Sequence, residues 1–217
     1  MTRFVLASGN RHKLGEFSAI LAPHAVELMP AGIVLPPEGA KSFAANAAVK
    51  GLALAVTLAV ASPPTAGGDI LCLADDSGLE VEALDWAPGV VSARYAGVDG
   101  DDQGGGVSVD QANIAKLLAN LAAFPDTKQR RTRFVCALVA VAPDMRQFAV
   151  TGEWWGTIAT VAHGDGGFGY DPVFIPEGSD LSVAQWPQAL KDQASHRALA
   201  GKALLELLSS EGVLHGP

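Results

Sequence analysis

The chain has 217 residues, 49% of them apolar and 18% charged, with a net charge of −8. That length and apolar share support a buried core and exclude a disordered chain, and the acidic balance argues against a nucleic-acid polymer as partner. A small anionic ligand stays compatible with it, because a few local cations can outweigh a distant bulk field.

In chain order, "RFVLAS" reads as a short strand stopped by "GN". "RHKLGEFSAILAPH" follows as a helix with Leu14, Phe17, Ile20 and Leu21 on one face, ended by Pro23. "AVELM" is a second strand, and "PAGIVLPPEGAK" a loop rich in proline and glycine. Ser42 is placed to cap a long alanine-rich helix reaching about Val60. That helix resembles a membrane span in composition, but Asn46 and Lys50 lie inside it, and a buried helix of a soluble protein is the expectation.

"ASPPTAGGD" reads as a turn. "ILCLA" is a buried strand expected to end at Asp75 and Asp76, with "GLEVEAL" as a separate pairing segment. "GVDGDDQGGGVS" is a loop whose glycines, Gly104 to Gly106, suggest mobility. "SVDQ" resembles a capping box for a helix through Leu121. "TRFVCALVAVA" and "RQFAVTGEWWGTIAT" are long strands joined through "PDM" as a hairpin. A glycine-rich loop, "HGDGGFGYDP", leads to the short strand "VFI", and "SHRALAGKALLELLSS" forms a C-terminal amphipathic helix. Cys72 and Cys136 both lie in apolar strand runs and read as buried reduced thiols. The start "MTRFVLASGN" lacks the features of an export signal, so the cytoplasm is the expected compartment. The pattern predicts an α/β protein: a mixed sheet flanked by helices, one domain over residues 1–217, with two lobes and a cleft.

Five stretches carry chemistry. "SGNRHK" places a strand end, a tight turn and a helix start together, with Asn10 and Lys13 as donors. Helix N-termini bind anions, so this is chemically a phosphate cradle; it is equally an ordinary strand-to-helix turn with a solvated lysine. Asp75 and Asp76 are adjacent acids on a strand, whose side chains point to opposite faces. One can hold a hard cation such as Mg²⁺ while the other orients or deprotonates water; both solvated in an Asx turn is the plainer alternative. Glu38 is a loop carboxylate able to complete a metal site, or simply a surface acid. Lys50 either snorkels to water or faces a phosphate. In "GGFGYD", Phe168 and Tyr170 sit between glycines and offer a stacking face for a base, or a packed aromatic corner. In "SHR", Ser195 is a natural N-cap, and His196 and Arg197 are donors near a helix start, with Lys191 just upstream.

Taken in order, "SGNRHKLGEF", "SFAANAAVKG", "ADDSGLEVEAL" with "PGVVSARYAG", "GGFGYDPVF" and "SHRALAGKAL" resemble the motifs of the inosine/xanthosine triphosphate pyrophosphatase family across nearly the whole chain. The resemblance implies an elongated two-lobed α/β subunit, a homodimer, and Mg²⁺-dependent hydrolysis of non-standard purine nucleoside triphosphates (dITP/ITP, XTP/dXTP) to the monophosphate and pyrophosphate. It implies that Ser8, Gly9, Asn10, Arg11, His12 and Lys13 bind the triphosphate. Glu38 and Asp76 would hold metal, with Asp76 also the proton acceptor and Asp75 beside it. Ser77 would touch substrate, Lys50 and Lys191 its phosphate or base side, and Phe168, Gly169, Tyr170 and Asp171 the base. His196 and Arg197 would read the purine edge. Three positions depart from the family pattern: Ala45 where a Glu is usual, Gln185 where an acid is common, and Pro187 nearby. A pyrophosphatase for another modified base, or a nucleotide sensor without activity, are the alternative readings.

Overall fold

The computed structural model describes residues 1–39, 42–61, 70–97 and 108–214. The turn expected before "ILCLA" and nearly all of the loop holding Gly104 to Gly106 lie outside these residues.

Strands β1 (Arg3–Leu6), β2 (Ala25–Leu28), β3 (Ile70–Val81), β4 (Arg131–Val141), β5 (Gln147–Ile158) and β6 (Phe174–Pro176) form one six-stranded sheet ordered β2-β1-β3-β4-β5-β6. Helices α1 (Arg11–Ile20), α2 (Phe43–Ala61), α3 (Val109–Asn120), α4 (Gln188–Ala194) and α5 (His196–Ser210) intervene. β1 runs parallel to both β2 and β3, in register Phe4 with Val26 and Leu71, while β6 pairs antiparallel with β5. The sheet is therefore mixed, as the alternation of early helices and later hairpin requires. The β4–β5 turn closes through Ala142, whose N–H donates to the Arg146 carbonyl at 2.9 Å.

The chain divides into two compact units: residues 1–76, 136–152 and 192–217, and residues 77–135 and 153–191. In the first, Phe4, Leu6, Phe17, Leu73, Leu138 and Leu204 belong to one buried core. The alternation predicted on α1 puts Phe17 in that core, and Leu21 joins it just beyond the helix end. α2 is long and apolar enough to cross a membrane by length and composition alone. Its inner face nevertheless buries Asn46 and Lys50 beside Leu54, and both polar groups bond to carboxylates, as a core helix requires. Gly51 lets α2 approach the sheet: a Cβ there would lie 3.2 Å from Val141 and 3.4 Å from Ala74. In the second unit Phe134, Phe174, Trp154 and Trp186 pack as a chain of tilted rings 4.7 to 5.6 Å apart. Cys72 and Cys136 are buried free thiols.

One expectation needs correction. β3 does not end at the acidic pair; it runs unbroken through Asp75, Asp76 and Ser77 to Val81, absorbing "GLEVE". Desolvation argues for ending a strand at adjacent acids, but cations from elsewhere in the fold neutralise them. Residues 182–194, to which the sequence reading assigns no element, hold a short turn of helix at Val183–Gln185 and then α4. Gln185 closes a capping box on Ser182, and Pro187 precedes α4, accepting from the Leu190 N–H at 3.0 Å. Both departures thus have local structural roles. Ala45 occupies the third position of α2, where a Glu would reach back to the cap. Only the forward half of that box exists, from the Ala45 N–H to Ser42 Oγ at 3.3 Å.

Candidate active site

In the first unit the turn after β1 is organised by Asn10. It caps α1 through its carbonyl oxygen, accepting from the His12 and Lys13 amides at 2.8 and 3.3 Å, while Ser8 Oγ accepts from the Asn10 N–H at 3.1 Å. Asn10, expected as a donor, thus acts here as an acceptor. The cap fixes the start of α1, and with it the root of the Lys13 side chain.

Strand geometry sends Asp75 and Asp76 to opposite faces of β3, and each meets a different set of partners. Asp75 is buried. Lys13 Nζ lies 2.9 Å from its Oδ1, and Arg197 Nε lies 3.4 Å from its Oδ2. Burial alone would raise the Asp75 pKa, but the charges of Lys13 and Arg197 outweigh it and hold the carboxyl well below the usual range. Asp76 Oδ2 accepts from Asn46 Nδ2 at 2.8 Å, and Lys50 Nζ stands 3.8 Å from Oδ1. Lys50 also donates to Glu38 Oε1 at 2.7 Å. For Asp76 burial wins: with the charge of Glu38 it raises the carboxyl pKa against the opposing pull of Asn46 and Lys50. Two neighbouring acids are thereby driven apart, one firmly ionised and one made more basic. That division gives two adjacent carboxyls opposite electrostatic environments.

Arg197 sits at the start of α5, which Ser195 caps by accepting from the Ala198 N–H at 3.2 Å. Its guanidinium also bonds Glu16 Oε2 at 2.9 Å and is buried. Burial would lower its pKa; Asp75 and Glu16 reverse that and raise it. Arg197 is therefore held among carboxylates within the first unit. His196 is buried beside it.

The second unit gathers the glycine-rich segment. Asp171 Oδ2 accepts from the Phe168 N–H at 3.0 Å and from Lys191 Nζ at 2.7 Å. Lys191 lies 4.3 Å from the centroid of the Phe168 ring. The Tyr170 hydroxyl donates to the Ser92 carbonyl at 2.8 Å, and burial, then the charges of Tyr95 and Asp110, push its pKa far up. It stays a donor at any physiological pH. Ser77, half-buried, follows Asp76 in β3.

The structure joins Lys13, Asp75 and Arg197 in one network, Glu38, Lys50 and Asp76 in another beside it, and Phe168, Asp171 and Lys191 in a third. Glu16 and Asn46 belong to the first two, though neither is among the site residues expected from the sequence. Asn46 and Lys50 are four residues apart on an otherwise apolar helix, and that spacing was the available signal. Among the described residues no group of three or more His, Cys, Asp or Glu side chains is arranged to hold a metal ion.

Residues 4–207 match the Ham1 family. The chain is 44% identical over 209 residues to a dITP/XTP pyrophosphatase of Methylacidiphilum infernorum, covering 95% of this chain and 93% of that protein. It is 42% identical over 217 residues to a dITP/XTP pyrophosphatase of Nocardia farcinica, covering 97% and 96%. Among solved structures, the Ham1 protein of Staphylococcus aureus aligns with a TM-score of 0.75 at 35% identity over 97% of this chain and 100% of that one. A HAM1 protein from Coxiella burnetii aligns at 0.77 and 31% identity with the same coverage.

Proposed function

The chain belongs to the Ham1 family, and we propose that it hydrolyses non-standard purine nucleoside triphosphates, dITP and XTP foremost, to the monophosphate and pyrophosphate. The observation that carries this reading is the opposed environment of Asp75 and Asp76, flanked by Lys13 and Lys50. The curated relatives named dITP/XTP pyrophosphatase support it.

Asp76, made more basic by burial, accepts the proton of the attacking water. The water oxygen bonds to the α-phosphorus, the bond to the bridging oxygen breaks, and pyrophosphate leaves. Lys13 and Lys50, each now held by a carboxylate, turn to phosphate oxygens and stabilise the charge that develops on the leaving group. Arg197 keeps Asp75 ionised while Lys13 does so. Asp76 and Glu38 fit Mg²⁺: two carboxylates already share the positive charge of Lys50, and Mg²⁺ takes one or two carboxylates together with phosphate oxygens. The chemistry a bound Mg²⁺ supplies is neutralisation of polyphosphate oxygens.

The base stacks on Phe168, and the Lys191 ammonium beside that ring donates to a six-keto oxygen. Adenine offers an amino group there, which faces donor to donor and is rejected. The working unit is a homodimer in the cytoplasm, without nucleic-acid polymer or membrane as partner. Pyrophosphate release measured across dITP, XTP, dGTP, dATP and dCTP, with and without Mg²⁺, tests the reading. Turnover of dITP and XTP well above the rest is the expected result. Equal rates on dCTP, or none on any substrate, overturn it.

A further inference from the structure

We propose that Asp110 is a positioning residue for the base-binding loop, and that α3 is the clamp through which the loop's selectivity is set. The inference rests on the assignment of residues 168–171 to the base.

Asp110 lies in the first turn of α3, and its Oδ2 accepts from the Gly169 N–H at 2.6 Å across 59 positions of chain. A carboxylate there is favoured by the helix dipole, and its bond to an amide is charge-assisted. Capping does not explain it. Ser108 already caps α3 in a complete capping box with Gln111. The next residue along the loop is tied to the same helix by a second route. The Tyr170 hydroxyl donates to the Ser92 carbonyl. The segment holding Ser92 is fastened to α3 by Asn113, which donates to the Ala93 carbonyl at 3.1 Å and accepts from the Ala96 N–H at 2.7 Å. Gly169 and Tyr170 are thus linked to α3 in a closed circuit of hydrogen bonds, with Asp110 and Asn113 one helical turn apart.

The helix is itself anchored. At its C-terminal end the buried Arg130 guanidinium donates to the Leu121, Phe124 and Ala159 carbonyls at 2.6 to 3.1 Å. The loop needs such an external hold. Gly164, Gly167 and Gly169 all adopt positive φ, and glycine has many backbone states of similar energy. A site that discriminates by one hydrogen bond depends on donor placement within a fraction of an ångström. Asp110 supplies that placement without touching the substrate.

The test compares Asp110→Ala, Asp110→Asn and Phe168→Ala for KM, kcat and the ratio of kcat/KM on dITP to that on dATP. Asp110→Ala is expected to raise KM for dITP about tenfold and to lower the ratio about tenfold, the loss of one charge-assisted bond, while kcat falls less than about threefold. Asp110→Asn keeps an acceptor oxygen and is expected to recover most of both. If Phe168→Ala loses affinity and selectivity while Asp110→Ala keeps both, the clamp is wrong and the base assignment stands. If Phe168→Ala behaves as wild type, the base assignment fails and takes the clamp with it. A drop in kcat that is equal on every base, with the ratio unmoved, also overturns the proposal.

Discussion

Lys13 and Asp75, 62 positions apart, form a 2.9 Å ion pair in which the carboxylate is almost wholly buried and the ammonium keeps some exposure. The pair has two consequences. It makes a mid-strand acid tolerable, and it ties the start of α1 to β3 through a buried carboxylate.

Breaking this pair from one side should be costly. Lys13→Met is expected to destabilise the fold by about 3 kcal/mol in urea unfolding, since the buried Asp75 loses the nearer of its two ion-pair cations. Adding Asp75→Asn should recover part of that loss. Coupling of at least about 1 kcal/mol in the double-mutant cycle is the expected outcome, and strictly additive effects would show that the pair does not operate in solution. Neither variant should recover activity.

Asp76→Asn should lower turnover by at least about a hundredfold while sparing the fold. The stability effect has a defined sign. The folded pKa of Asp76 is raised above its ordinary 3.8, chiefly by burial. As pH climbs past 3.8 the unfolded chain releases this proton and the folded chain retains it, so the residue's contribution falls until the folded pKa is passed. With EDTA present, Asp76→Asn should therefore melt higher than wild type at pH 7, and the gap should close near pH 4. Substantial residual turnover would remove Asp76 from the role of proton acceptor.

Lys191 joins Asp171 to the face of Phe168. Lys191→Met is expected to raise KM for dITP about tenfold and to destabilise by about 3 kcal/mol, because Asp171 remains buried without its cation. Unchanged KM with lowered stability would assign the lysine to the fold alone.

Burial pushes the Cys72 thiol up to about 11. Only the thiolate is alkylated, so native protein treated with iodoacetamide at pH 8 should show no adduct at Cys72 by mass spectrometry. Unfolding first should expose both cysteines. Rapid labelling of the native protein would contradict this environment.

Much of the architecture was legible because it depends on neighbours in sequence. Ser42 before α2, Ser108 before α3 and Ser195 before α5 are caps, and all three accept the amide bonds their positions imply. The β4–β5 hairpin and the short strand after the glycine-rich loop likewise follow from apolar runs between turn residues. β3 was misread because local physics penalises two adjacent acids inside a strand. The groups that cancel the penalty come from α1, α2 and α5, and no window of sequence contains them.

The candidate site divides in the same way. Residue types and spacing in "SGNRHK", "ADDSG" and "GGFGYD" raise the expectation of phosphate, carboxylate and aromatic chemistry, since those properties belong to side chains before any folding. Which acid is ionised and which is made basic depends on burial and on charges brought from distant chain, so only the tertiary structure could separate Asp75 from Asp76. The same holds for Arg197, whose carboxylate partners Glu16 and Asp75 come from distant parts of the chain. Sequence by itself determined most of the elements, their caps and the inventory of reactive groups; three-dimensional packing decided the extent of β3 and the partners of those groups, because electrostatic energy depends on distance and solvent exposure, which linear order does not contain.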